Sequence, residues 1–305
     1  MKRINAATYR TLKQATNPRL AEQDYLECQL LSMLFQDEFI SENFVFTGGA
    51  TLSKSYSFST RIGQDVDLAL VNFTDVPPDR SKKQLSKFRK TFKQYVFGDL
   101  KAKIAQIIND DGRFQIITDH DWPSPENVGR VASSPALHLL YQSEFGNGHL
   151  CLEITPRRYP VSAISYRGVL PYSCNAPLGV IPTVAYEQTF WDKVFALHSN
   201  ANATTPHCDK CFSRHYHDVA MLAPHVNLDD TYPMLNDTIR YQTRHTTKEI
   251  TLAHARDALL VPDDKTLYKL SDDYYAMSGA FTGAQTSWNT IVQTLQNLTQ
   301  DLRTL

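Results

Sequence analysis

Two neighbouring stretches decide how this chain is read: Phe44-Val-Phe-Thr-Gly-Gly-Ala-Thr-Leu-Ser-Lys54 and, after a short loop, Arg61-Ile-Gly-Gln-Asp-Val-Asp-Leu-Ala-Leu-Val71. The first opens with strand composition and runs straight into Gly48-Gly49. Neither glycine has a Cβ, so a turn there lets the backbone approach a ligand closely. A helix beginning just after the turn would present free N–H groups suited to phosphate, and Ser53 and Lys54 could add a hydroxyl and a charge. The second stretch reads as another strand. Asp65 and Asp67 are two apart, so their side chains share one face, and two carboxylates roughly 7 Å apart along a strand can grip one or two Mg2+ ions. Such ions bridge the phosphates of a nucleotide, activate an attacking hydroxyl and stabilise leaving pyrophosphate. Glu153, set in the otherwise apolar His149-Leu-Cys-Leu-Glu-Ile-Thr155, is the candidate third carboxylate. Each feature has a bland reading: Gly-Gly as an ordinary turn, Asp-x-Asp as a solvated strand end, Glu153 as an outward residue of an edge strand. In the order strand, Gly-Gly, helix, Asp-x-Asp strand, third acidic strand, they point together to polyphosphate chemistry.

Upstream, Leu20, Leu26, Leu30, Leu31, Leu34 and Phe35 recur at helical spacing, which predicts an amphipathic helix from Leu20 to Phe39. Downstream, Lys101 to Asn109 has helical periodicity, and Arg113–Thr118, Ala136–Tyr141 and His149–Thr155 read as three further strands. Five prolines between Pro156 and Pro182 argue against long regular elements there. Beyond them the pattern is helical: Thr183 as the N-cap of a helix through His198, a second helix from near Ser213 stopped by Pro224, and a tail helix. Trp288, Ile291, Val292, Leu295, Leu298, Leu302 and Leu305 form one stripe on that tail, read as core packing. The expectation is an α+β chain, with a mixed sheet and flanking helices over residues 1–181 and a helical domain over 182–305.

Composition bounds the function classes. The 305 residues carry 31 Lys+Arg against 32 Asp+Glu, a net charge of −1, so any affinity for a polyanion or a membrane must come from a local surface. No run approaches the roughly 18 apolar residues of a membrane helix. The start, MKRINAATYRTLKQATNP, lacks the apolar core of a signal peptide. Five cysteines, an odd number, argue against a disulfide scaffold and for a reducing compartment, hence a cytoplasmic protein.

The arrangement resembles the nucleotidyltransferase superfamily and, more closely, the AbiEii/AbiGii toxin family of abortive-infection and toxin–antitoxin systems. The motifs that carry this are Gly48-Gly-Ala-Thr-Leu-Ser53 and Arg61-Ile-Gly-Gln-Asp-Val-Asp67, with looser matches at Lys193 in Glu187-Gln-Thr-Phe-Trp-Asp-Lys193 and at Arg214-His-Tyr-His-Asp-Val219. The resemblance spans roughly residues 40 to 225 and implies a nucleotidyltransferase fold. It implies that Asp65 and Asp67, with Glu153, hold Mg2+, and that Gly48, Gly49, Ser53, Lys54 and Arg61 bind the nucleoside triphosphate. Lys193 and Asp218 would complete the nucleotide and acceptor site from the second domain. An ammonium at Lys193 also suits a triphosphate as a point charge. Arg214 and Asp218 are four apart on a helix, so they could instead simply pair with each other. The implied acceptor is RNA, with the tRNA 3′ end foremost, and the implied partner a separately encoded antitoxin. The family often has Ser two positions before the first metal Asp, where modification silences the enzyme; Gly63 stands there in this chain.

Two other clusters stand out. Cys208-x-x-Cys211 with His215 and His217 offers four zinc ligands at tight spacing, with a free-thiol loop the favoured reading. Between Arg80 and Lys103 lie Lys82, Lys83, Lys87, Arg89, Lys90, Lys93 and Lys101 against a single acid, Asp99, interleaved with Phe88, Phe92, Tyr95 and Phe97. That is either a solvated helix with an aromatic inner face or a phosphate-tracking surface for RNA, which Arg157 and Arg158 could extend. A small-molecule nucleotidyltransferase, or a catalytically silent binder of nucleotide or RNA, remains a competing expectation.

Overall fold

In the computed structural model, residues 6–73, 81–109, 112–118, 134–143, 145–209, 211–245 and 252–305 are described. The chain forms two compact units. The first comprises Met1–Tyr56, Ile62–Arg158 and Ile164–Thr183; the second comprises Ser57–Arg61, Tyr159–Ala163 and Val184–Leu305.

The first unit holds helices α1 (Ala6–Lys13), α2 (Pro18–Leu34), α3 (Glu38–Asn43), α4 (Ala50–Lys54), α5 (Lys82–Tyr95) and α6 (Lys101–Asn109). Its strands are β1 (Phe44–Thr47), β2 (Asp65–Leu70), β3 (Phe114–Thr118), β4 (Ala136–Tyr141), β5 (Gly148–Thr155), β6 (Ile164–Val169) and β7 (Gly179–Val184). They make a seven-stranded sheet in the order β3-β4-β5-β2-β1-β7-β6. It is mixed: β1 runs antiparallel to β2 and parallel to β7, while β2 runs parallel to β5. Alternation sorts the side chains. Val66, Leu68 and Leu70 of β2, Leu150, Leu152 and Ile154 of β5, and Leu137, Leu139 and Tyr141 of β4 share the main hydrophobic core with α2 and α6. The other face carries Asp65, Asp67, Cys151 and Glu153, all half-buried. The sequence-read helix from Leu20 to Phe39 is in fact two. Asn17 caps α2 by accepting from the Leu20 N–H, α2 ends at Leu34, and Asp37 caps α3 through the Ile40 N–H.

Two six-residue strands, β6 and β7, occupy the proline-rich stretch, and Pro182 lies inside β7. Thr183, expected as a helix cap, is instead in β7 opposite Phe46, where a β-branched side chain is at home, and Ala185 takes the cap position.

The second unit contains α7 (Tyr186–Ala201), α8 (Arg214–Leu222), α9 (Tyr232–His245), α10 (Asp264–Ala276) and α11 (Trp288–Thr304). On α11, Trp288, Ile291, Leu295, Leu298 and Leu302 are buried as the stripe predicts, whereas Val292 is half-buried and Leu305, just past its end, is exposed. Asp273 of α10 accepts from the N–H groups of Cys211 and Ser213 and from the Ser213 hydroxyl, which fixes the approach to α8. Among the described residues, no helix is long and apolar enough to cross a membrane.

Candidate active site

Strand register assembles the acidic face. Thr47 of β1, Asp67 of β2 and Glu153 of β5 are partners in one cross-strand row, and Asp65 pairs with Cys151 in the next row. Neighbouring strands are about 4.8 Å apart, so Asp67 and Glu153 stand side by side while Asp65 lies one pleat repeat along β2. Gly48 closes this row. Its φ is +79°, in the region that favours glycine, and a Cβ there would overlap the Asp67 carboxylate. The Asp67 carboxylate is thus laid directly against the bare backbone of the glycine turn.

The helix after the turn differs from expectation. α4 has only five residues, and the Thr51 and Leu52 amides are already bonded to the carbonyls of Gly48 and Gly49 at 3.3 and 3.2 Å. So short an element has no useful dipole, and the expected helix-terminus anion site is not what the turn provides. Ser53 is half-buried, its hydroxyl donating back to Ala50 O at 3.3 Å. Lys54 is sealed inside the first unit: its ammonium lies 2.5 Å from Asp24 and 2.8 Å from Glu27, both on α2, and donates to Gly63 O at 3.2 Å. A cation held this way has no charge left over for a phosphate. Burial pushes the Glu27 carboxyl up to about 7 against the pull of Lys54, because one ammonium cannot fully offset two carboxylates. Burial alone would lower the Lys54 value, but Glu27 and Asp24 outweigh it and hold the ammonium protonated.

In the second unit Arg61, Lys193 and Asp218 form one cluster. Arg61 donates to both Asp218 oxygens, with Nη2 2.9 Å from Oδ2, and Lys193 Nζ is 2.8 Å from the same oxygen. Asp218 therefore pairs with these two rather than with Arg214. Burial by itself would raise the Asp218 carboxyl, yet Arg61 and Lys193 hold it well below the usual carboxylate range. Beside it, His217 Nε2 meets Ser59 Oγ at 3.1 Å and Nδ1 meets the Tyr274 hydroxyl at 3.3 Å. Burial pushes His217 down to about 4. With both ring nitrogens engaged, His217 is not poised for zinc. Among the described residues, no three His, Cys, Asp or Glu side chains are arranged to hold a metal ion, so neither the Cys208–His217 cluster nor Asp65, Asp67 and Glu153 together form a ready three-ligand site, and Cys208 is a free thiol.

The basic stretch is α5. Phe92 is buried and Phe88 half-buried, and both pack edge-on against Phe73, while Lys82, Lys83, Lys87, Arg89, Lys90 and Lys93 are exposed. Arg80 lies outside the described residues. Lys103 pairs with Asp37 at 2.7 Å. Arg157 is buried, so it does not extend the exposed cations, whereas Arg158 is exposed.

A bare-backbone turn set against an Asp-x-Asp strand with a third acidic strand beside it agrees with a family profile, the nucleotidyl transferase AbiEii toxin of type IV toxin–antitoxin systems, which matches residues 29–294. The chain belongs to the AbiEii family. It is a nucleotidyltransferase-family protein, a class that takes a nucleoside triphosphate with a divalent metal, and its place in a type IV system implies an antitoxin. No curated protein sequence matches the chain. Among solved structures, JHP933 from Helicobacter pylori is 14% identical, with a TM-score of 0.47, covering 93% of this chain and 92% of its own. An antigenic nucleotidyltransferase-like protein from Paracoccidioides brasiliensis is 10% identical, with a TM-score of 0.37, over 71% and 88%.

Sequence reasoning missed Asp24 and Glu27. The available signal was two acids three apart on the inner side of an apolar helix, a placement that demands a buried cation. It also missed Thr47 as the third member of the Asp67 row, which only the β1–β2 register shows.

Proposed function

We propose that this AbiEii protein transfers a nucleoside monophosphate from a nucleoside triphosphate to an RNA acceptor, foremost the tRNA 3′ end, with Mg2+, and so blocks translation. The observation that carries the reading is Gly48 lying against the Asp67 carboxylate in the Thr47–Asp67–Glu153 row. The acceptor hydroxyl oxygen attacks the α-phosphorus and releases its proton to water, the bond from that phosphorus to the bridging oxygen breaks, and pyrophosphate leaves with that oxygen. The triphosphate would lie along the turn backbone at Gly49, the space beside Gly48 being taken by the Asp67 carboxylate, with the Ser53 hydroxyl nearby in sequence. Lys54 takes no part in phosphate binding, since its ammonium is enclosed by Asp24 and Glu27.

The donor set of Asp65, Asp67 and Glu153 is all carboxylate oxygen, the chemistry a hard cation prefers. Mg2+ is ordinarily held by one or two carboxylates, with water and substrate phosphates completing its shell, so a metal that arrives with the nucleotide needs only Asp65 and Asp67 from the protein, without a preassembled three-ligand site. When bound, the metal supplies charge neutralisation at the phosphates. The protein's own residues hold Asp67 against the turn and keep the opposite sheet face dry, so the acids have a rigid base.

The exposed cations of α5 favour a polyanionic acceptor over a small molecule. The test is incubation with each labelled nucleoside triphosphate and total tRNA, with and without Mg2+, beside Asp67→Ala. Label on RNA that needs both Mg2+ and Asp67 supports the proposal. Label on small acceptors only, or toxicity that survives Asp67→Ala, overturns it in favour of the small-molecule or binding-only reading.

A further inference from the structure

Lys54 sits where four chain segments meet. Its side chain is fully buried and reaches Asp24 and Glu27 on α2 and the carbonyl of Gly63. Its backbone carbonyl accepts from the Leu170 N–H at 2.8 Å, and the second oxygen of Asp24 accepts from the Tyr172 N–H, also at 2.8 Å. The ammonium donates hydrogen bonds to Asp24 and to the Gly63 carbonyl, while the Glu27 oxygen 2.8 Å away makes an ion pair without hydrogen-bond geometry. Gly63 meets α4 twice. A Cβ at Gly63 would lie 2.6 Å from Ala50 Cα, and its carbonyl faces Lys54 one helical turn further on. The segment that enters β2 therefore runs along α4, bare backbone against the first turn and a hydrogen bond at the last. Two residues after Gly63 comes Asp65.

A buried ion cluster is a poor source of stability, because desolvating three charges offsets much of their attraction. What it supplies is direction. We propose that Lys54 is a positioning residue of the metal-binding face: anchored by Asp24 and Glu27, it fixes the Gly63 carbonyl and thereby sets Asp65 relative to the glycine turn. This rests on the reading of Asp65 and Asp67 as metal ligands, and it gives Lys54 a role in metal handling without contact to metal or phosphate.

Lys54→Met alone leaves two carboxylates buried without a cation and can fail to fold, so the test uses a neutralised background. In full-length protein, Asp24→Asn/Glu27→Gln/Lys54→Met removes all three charges and the donor to Gly63. Asp24→Asn/Glu27→Gln/Lys54→Gln removes the charges but keeps an amide donor. Gly63→Ala displaces the same segment while leaving all three charges of the ion cluster in place. Folding is checked by circular dichroism. Binding of Mn2+ with a non-hydrolysable nucleoside triphosphate is read from loss of the free-ion paramagnetic resonance signal. The Met triple variant and Gly63→Ala should each need about tenfold more Mn2+ for half-saturation, the scale of one lost positioning hydrogen bond, and the Gln triple variant clearly less. Folded Met and Gly63→Ala variants that bind Mn2+ like the parent would overturn the inference while leaving the metal face intact. A parent that binds Mn2+ no better than Asp65→Asn would instead sink the metal reading itself.

Discussion

Gly48 meets two demands at once, a left-handed backbone and no side chain, because the Asp67 carboxylate fills the space a Cβ needs. Gly49, one residue on, has a φ of −68°, which any residue adopts. Gly48→Ala should therefore cost about 1–2 kcal/mol from backbone conformation alone and also push Asp67 out of its row. Nucleotide transfer should fall by about 100-fold or more, equivalent to roughly 2.7 kcal/mol of activation free energy. Gly49→Ala should be far milder in thermal melts, and equal losses of stability at the two positions would refute this account of the turn. Glu27 gives a second residue-scale expectation. Its folded value of about 7 lies above the ordinary 4.5, so the folded state binds a proton that the unfolded chain has released between those limits. The stability this contributes is full below pH 4.5 and is lost as pH rises through 7. Glu27→Gln stays neutral, so it should gain on the parent over that window, by at most roughly 3 kcal/mol, in denaturant unfolding at pH 5 and 8. His217 works in the opposite sense. Its folded value of about 4 lies below the ordinary 6.5, so stability from the second unit should rise with pH between 4 and 6.5.

At the scale of elements, α8 depends on one carboxylate. Asp218 neutralises Arg61 from the 57–61 segment and Lys193 from α7, all three buried. Asp218→Asn leaves two buried cations short of a counter-charge, a defect that typically costs about 3–5 kcal/mol. Arg214→Ala, at the half-buried start of the same helix, should change stability by less than about 1 kcal/mol. Thermal melts that rank the two the other way would contradict this pairing. The helix itself was readable in the sequence, since Ser213 and Pro224 bracket it, but its ion pairing was not: the i, i+4 rule proposes Arg214, and the partners come from 157 and 25 residues away in sequence. The same limit holds elsewhere. β1, β2 and β5 declare themselves through apolar runs and through Gly48-Gly49, because those signals are local. β6 and β7 were hidden by prolines, and Pro182 is accommodated within β7. Lys54 looked like a phosphate ligand because the side chains that claim it, Asp24 and Glu27, lie on another helix. Acid placement along β2 was legible from period two alone, whereas the Thr47–Asp67–Glu153 row needed the register of three strands.

For the whole molecule the charge arithmetic becomes informative. At a net charge of −1 the chain as a whole neither attracts nor strongly repels a polyanion. If the acceptor is RNA, as proposed, then six exposed cations on one element, with Phe88 and Phe92 turned toward Phe73, make α5 the place where its backbone would be held. Binding through phosphate neutralisation releases counterions, so affinity must fall linearly in log–log terms as salt rises, with a slope of about 0.7 to 0.9 per phosphate contacted. Replacing Lys83, Lys87, Lys90 and Lys93 by Gln should weaken tRNA binding at 50 mM salt and flatten that slope by about 3, if each lysine meets one phosphate. The four positions are exposed, so the melting temperature should stay within a few degrees of the parent. A filter-binding series at several salt concentrations measures both quantities. An unchanged slope would mean that α5 is only a solvated helix and that the acceptor is recognised elsewhere. A slope that flattens while transfer to a short acceptor fragment persists would place α5 in holding the body of the RNA, away from the reacting hydroxyl.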